Sequence, residues 1–192
     1  MEALTRRPAG RFRKPEPGKT GAQLTGAERG LAAHLVMQYI HLAKTGSEEE
    51  IAGELCRLCE EGFLSEAQAA SVAPEEVRAF FQSELGQRML RADRVIREFR
   101  FSLLCPAERW FSTEPGEEIL LQGVVDCCME EQGELTVLDF KTDGQVEPER
   151  YAGQLAAYAM AMERIFQKPV RGAALWYLRK KQAVWVMPEE KT

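Results

Sequence analysis

The stretch that most constrains this chain is ILLQGVVDCCMEEQGELTVLDFK, residues 119–141. It reads as two strands and a turn. Ile119, Leu120, Leu121, Val124 and Val125 make an apolar first strand that ends at Asp126, and Leu135 to Lys141 makes the second. Glu130, Glu131, Gln132, Gly133 and Glu134 supply the polar residues and the Gly of a hairpin loop. With the turn centred near Glu131–Gln132, antiparallel pairing puts Asp126 opposite Asp139 or one place from it. Directly opposed Cβ atoms lie about 5 Å apart. Two carboxylates therefore meet at the end of an apolar ribbon. Lys141, two residues beyond Asp139, leaves the same face.

Two carboxylates in a partly apolar setting repel, and they need a proton or a cation between them. Oxygen ligands beside a lysine suit a hard divalent cation, Mg²⁺ or Mn²⁺. Such an ion polarises a phosphate and lowers the pKa of a bound water. Lys141 would orient that water or neutralise charge developing on phosphorus. An Asp–x–Lys taken alone reads as an exposed edge pair, so the rest of the chain has to carry the weight.

The 192 residues suffice for one domain with a sizeable core, or for one domain and an arm. An apolar share of 45% and a charged share of 29% are those of a soluble globular protein. No apolar run approaches the roughly 20 residues of a membrane span, and the basic start has no apolar core of a secretory signal. Five Cys in no disulfide framework fit a reducing, cytoplasmic setting. A net charge of −5 argues against a protein that coats nucleic acid by charge alone. It leaves room for a metal-dependent nuclease, whose site is itself acidic.

Residues 1–23 read as a basic Pro/Gly-rich linker or arm, with Arg6, Arg7, Arg11, Arg13, Lys14 and Lys19 among Pro8, Pro15 and Pro17. Thr25 and Glu28 form a capping box that opens a helix running to about Ala43. Leu31, Leu35 and Leu42 mark its stripe, widened by Val36 and Ile40. His34 lies in it, with His41 a heptad later on the same side; these are the chain's two His. A site with two Asp ligands has room for the His34 imidazole. Residues 47–93 read as short helices, a helical insertion packing on the sheet. Ser47 caps the first, Gly62 stops it, Ser65 with Gln68 starts another, and Pro74 begins a third. Cys56 and Cys59 form a CxxC inside an amphipathic helix with no second pair, so they read as helix-face Cys rather than a zinc or redox site.

Val95 to Leu104 alternates as a strand, with Glu98 and Arg100 on one face and Phe99 and Phe101 on the other. Glu98 is a candidate further acid of the site; the plainer alternative pairs it outward with Arg97 or Arg100. Residues 106–118 read as a loop holding Trp110 and Phe111. After Thr142–Gly144, a helix runs from near Pro148 to about Phe166. Tyr151, Gln154 and Tyr158 recur on one of its faces, placed to cover the site and hold Lys141 or a phosphate. Ala173–Leu178 and Ala183–Met187 form a second hairpin around Arg179–Gln182.

Three segments now line up. GVVD (123–126), LDFKTD (138–143) and QLAAY (154–158) together resemble the RecB-type nuclease domain, a branch of the PD-(D/E)XK superfamily. The opening LTGAERGLAAHLVMQYI is similar to the start of the nuclease domain of AddA-type helicase–nuclease subunits, whose helix carries the family's first motif, a His. The resemblance spans residues 24–188, leaving 189–192 as a tail. It implies an α/β fold: a mixed central β-sheet flanked by helices, restriction-endonuclease-like. It implies that His34, Asp126, Asp139 and the backbone carbonyl of Phe140 ligate Mg²⁺, or Mn²⁺ in its place. Lys141 would be the catalytic lysine, with Gln154 and Tyr158 supporting it and the DNA. Val125 stands where the name-giving Pro would be and Asp139 where Glu is often found; both are usual in this branch. Some relatives hold an iron–sulfur cluster on flanking Cys; no Cys follows Cys128, so none is expected.

The resemblance implies a DNase acting on single-stranded DNA in a bacterial helicase–nuclease complex for double-strand break end processing and recombinational repair. The implied partners are helicase domains of the same polypeptide, together with a second, AddB-type subunit. No GxxxxGK[ST] motor loop occurs, so the chain reads as a nuclease domain without its ATPase. Two other classes compete. One is a catalytically idle, nuclease-like DNA-binding or assembly module, motivated by the acidic charge and missing motor. The other is a carboxylate glycosidase using Asp126 and Asp139, which Lys141 and the lack of a sugar-stacking pattern disfavour.

Overall fold

The computed structural model describes residues 24–109 and 116–187. The basic arm 1–23, Trp110, Phe111 and the tail 189–192 lie outside the described residues. In chain order come α1 (Gly26–Tyr39), α2 (Glu48–Glu60), α3 (Glu66–Ala70), α4 (Pro74–Gln82), α5 (Glu84–Arg91), β1 (Arg94–Pro106), β2 (Glu118–Glu131), β3 (Glu134–Lys141), α6 (Ala152–Phe166), β4 (Val170–Tyr177) and β5 (Gln182–Met187). The strands form one mixed sheet in the order β1-β2-β3-β4-β5. β3 and β4 pair in parallel, because α6 carries the chain back between them. The other three pairs of neighbours are antiparallel.

The two sheet faces bury separate cores. Cys127, Met129, Leu138, Phe140 and Trp176 pack with α1, α2, α4 and α5, where Phe80 meets the rings of Phe140 and Trp176 edge-on. Val125, Cys128, Leu135, Val137, Leu175 and Tyr177 pack with Leu155 and Met162 of α6. Alternation along β3 thus sends Leu138 and Phe140 to the helical block and leaves Asp139 on the α6 side. Among the described residues no helix is long and apolar enough to cross a membrane.

The short helices begin where their caps dictate. Thr25 and Ser65 form capping boxes, Ser47 and Ser83 cap α2 and α5, and Pro74 opens α4. Three expectations need correction. First, β2 does not end at Asp126 but runs on to Glu131, because Cys127, Cys128 and Met129 continue both buried faces. Second, Glu131 pairs with Glu134, so the turn is Gln132–Gly133, one place later than expected. Its φ values of 54° and 84° are the two positive angles of a type I′ turn. Third, α1 stops at Tyr39 rather than near Ala43. Its last carbonyls and the following amide are taken by side chains. Arg57 donates to Tyr39 O, Arg97 to Met37 O and Ile40 O, and His41 N donates to Glu54. The helix buries Ala32, Ala33, Val36 and Met37, and leaves Leu31 50% exposed.

Candidate functional site

Pairing between β2 and β3 starts at Glu131 and Glu134 and stops at Cys127 and Leu138. Beyond that point β2 runs on beside β1 alone, and β3 beside β4 alone. The sheet forks. Asp126 and Asp139 are the first residues of the two prongs. The Phe140 N–H, next along β3, donates instead to Asp126 Oδ2 at 2.9 Å.

Four elements converge on this fork. From α1, His34 Nδ1 lies 3.3 Å from Asp126 Oδ2. From β1, Glu98 occupies the place facing Asp126, between the paired Arg97–Cys127 and Phe99–Val125. One ligand atom each from His34, Glu98 and Asp126 lie within 4.8 Å of one another. From β3, Asp139 is 2% exposed, and its Oδ2 is 2.6 Å from Lys141 Nζ. From α6, Gln154 Nε2 reaches Asp139 Oδ1 at 3.5 Å and donates to the Tyr158 hydroxyl at 2.7 Å.

Lys141 is held on three sides. Besides Asp139, its ammonium sits 3.5 Å from Gln154 Oε1 and 3.9 Å from the centroid of the Tyr151 ring. The Tyr151 hydroxyl donates to Asp143, which fixes the ring and pushes the phenol up to about 12. Tyr158 packs edge-on against Phe101, and Gly123 makes room for both: a Cβ there would come within 2.9 Å of either ring.

Glu98 departs from the simple alternation expected of its strand. Its φ is 52°, in the left-handed region. Ile96, Phe99, Phe101 and Leu103 all contact the α6-side core, so the period slips at Glu98. The slip turns Glu98 towards His34 and Asp126 rather than outward to Arg97, whose guanidinium goes to the end of α1. A left-handed, non-Gly residue in mid-strand is costly, and such strain gathers at functional sites.

The electrostatics follow from burial and like charge. Desolvation, then the neighbouring Asp126, raises the Asp139 carboxyl to about 6, against the pull of Lys141 and His34. Burial opposes the charged form of His34, yet Asp126, with Asp139 and Glu98, outweighs it and raises the imidazole. Glu98 is raised by burial first and then by Asp126. A buried acid cluster with two raised members is a site short of positive charge. The one partner of the buried Asp139 Oδ2 among the described residues is the Lys141 ammonium at 2.6 Å. The imidazole of His34 and the carboxylates of Glu98 and Asp126, with the Asp139 carboxylate beside them on Lys141 and outside that close group, are a donor set that fits a hard divalent cation.

His41 has no part here. It follows the end of α1 and pairs with Glu54 instead, 61% exposed. Cys56 and Cys59 stay on α2 as free thiols. Nothing in the sequence signals the Phe140 N–H on Asp126 or Arg97 on the helix end, since both depend on where the strand pairing stops.

A forked mixed sheet with acids on both prongs and a lysine two residues beyond one of them defines a nuclease class. The sequence matches the family model of the PD-(D/E)XK nuclease superfamily over residues 6–191, and the chain belongs to that superfamily. It is 40% identical over 170 residues, 80% of its length, to an ATP-dependent helicase/nuclease subunit of Bacillus cereus. It is 40% identical over 171 residues, 85% of its length, to a protein of the same name from Desulforamulus reducens. The aligned region makes up 14% of each of these relatives.

Proposed function

We propose that this chain is a divalent-metal-dependent deoxyribonuclease domain. It cleaves single-stranded DNA to 5′-phosphate products within a helicase–nuclease assembly that processes double-strand breaks for recombinational repair in the bacterial cytoplasm. Mg²⁺ is the working ion and Mn²⁺ substitutes. The partners are the helicase domains of the same polypeptide, which the relatives' name supports, together with a second, AddB-type subunit. The observation that carries the reading is the buried Asp139 carboxylate paired with Lys141, across the fork from the converging His34, Glu98 and Asp126.

His34, Asp126, Asp139 and the Phe140 carbonyl would hold the ion, with Glu98 as a further acid. When bound, the ion polarises the scissile phosphate and acidifies water. The chain's own residues do the rest. Phe140 N–H and His34 hold the Asp126 carboxylate in place. Lys141, steadied by Gln154 and the Tyr151 face, keeps a fixed cation where negative charge develops on phosphorus. Tyr158 locks Gln154 and, with Tyr151, offers ring surface to the strand.

The test is cleavage of end-labelled single-stranded DNA with Mg²⁺, Mn²⁺ or EDTA by wild type, Asp139→Asn and Lys141→Met. Cutting should need metal and vanish in Asp139→Asn. Lys141→Met should cut on the order of 10²- to 10³-fold more slowly while still binding Mn²⁺. Equal cutting by Asp139→Asn, or cutting in EDTA, sinks the reading. Mn²⁺ binding and DNA binding without any cleavage would favour the idle assembly module.

A further inference from the structure

On the strength of the metal-site reading above, we propose that Arg97 is a positioning residue that sets where His34 meets the acids of the fork, Glu98 and Asp126. One half-buried guanidinium makes a pair of hydrogen bonds to the helix that carries His34. Arg97 Nη1 donates to Ile40 O at 2.9 Å and to Met37 O at 3.2 Å. These are carbonyls of the last turn of α1, which no helix residue can satisfy. α1 has no basic residue of its own in that turn, so β1 supplies the charge that its negative end attracts.

Arg97 stands at a junction. His34 is one turn before Met37 on the helix that Arg97 grips. Glu98 follows Arg97 directly, and Cys127, its partner across the ladder, follows Asp126. One side chain thus ties the helix bearing His34 to the strand bearing Glu98, beside the strand that bears Asp126. In a regular strand, positions 97 and 98 face opposite ways. The left-handed backbone at Glu98 lets both reach the α1 side: Arg97 the helix end, Glu98 the His34 ring. The neighbouring Arg57 also grips this end, at Tyr39 O, but it ties α1 to α2 and so away from the fork.

A buried partner that orients a metal ligand typically changes metal affinity by about 10- to 100-fold when removed. The experiment measures Mn²⁺ affinity by calorimetry on the 192-residue chain, as wild type, Arg97→Met, Arg97→Lys and Arg57→Met, each also combined with His34→Ala. Arg97→Met should weaken Mn²⁺ binding about tenfold. Arg97→Lys, which keeps a cation near the carbonyls, should recover part of it. Arg57→Met should bind as wild type does. In the His34→Ala background the Arg97 effect should disappear, a coupling that general loss of stability does not produce. Wild-type affinity in Arg97→Met overturns the proposal. So does an equal loss with and without His34, or an equal loss in Arg57→Met. Should Arg97→Met fail to fold, Arg97→Lys carries the same cycle. Failure of the wild type to bind Mn²⁺ would sink the metal-site reading, and this proposal with it. Normal wild-type binding with no Arg97 effect would sink this proposal alone.

Discussion

The Phe140 N–H donates to the Asp126 carboxylate at 2.9 Å, at the place where the ladder between β2 and β3 has just ended. A side chain replaces a backbone partner. The fork can open because one of its acids satisfies the amide that opening leaves behind.

Asp126 therefore has two separable jobs. Asp126→Ala leaves a buried N–H without an acceptor, which costs about 1–3 kcal/mol. Asp126→Asn keeps an oxygen for that N–H and should unfold within about 0.5–1 kcal/mol of wild type. Both lose a charged ligand, so both should lose Mn²⁺ binding. Urea unfolding beside a Mn²⁺ titration checks this. Equal stability of the two variants would show that the hydrogen bond contributes nothing.

Glu98 poses the opposite balance. Its φ of 52° suits glycine far better than a residue with a Cβ. Glu98→Gly should stabilise the metal-free chain by about 1 kcal/mol and weaken Mn²⁺ binding. Glu98→Gln keeps the backbone cost and should weaken binding without the gain. Paired urea melts and titrations separate the two effects, and a destabilised Glu98→Gly would show that the left-handed turn is unstrained.

The protonation of the site sets a pH dependence. His34 is raised above 6.5 and Asp139 to about 6, so near pH 6 both hold protons for much of the time. Both must release them to ligate a cation. Mn²⁺ affinity should therefore fall as pH drops from about 7.5 to 5.5, with protons released on binding, measured by calorimetry in buffers of different ionisation enthalpy. In the metal-free chain the two groups act on stability in the same direction, each contribution falling as pH rises, in adjoining pH windows. The raised His34 adds stability below its unfolded value, and that contribution is lost as pH rises through its folded value. The raised Asp139 binds its proton more tightly folded than unfolded, so its contribution falls between pH about 4 and 6. Asp139→Asn should accordingly be most stabilising, relative to wild type, above pH about 6. A stability difference that does not change with pH would contradict the raised carboxyl.

Local rules are legible in the chain itself. The caps at Thr25, Ser47 and Ser65, the Pro74 start and the Gly62 stop each rest on a side chain and backbone within a few residues of one another. The α/β class is legible for a related reason: strand and helix periods differ, and α6 between β3 and β4 leaves room for a parallel pair. The acid–x–lysine face follows from the two-residue period alone.

What the sequence does not supply is every relation set by where pairing ends. Apolar periodicity puts a strand end at Asp126, but Cys127 to Met129 are buried on both faces and carry β2 onward, which leaves Asp126 in mid-strand. The same periodicity carries α1 about four residues too far, because its carbonyls are claimed by Arg57 and Arg97, residues 18 and 57 positions away from the carbonyls they reach. The slip at Glu98 has no residue-level signature, since nothing in a Glu side chain favours a left-handed backbone. Local propensity decided which elements form. The tertiary structure decided where they stop and fork, because unpaired buried N–H and C=O groups must find partners, and those partners lie far away in the chain.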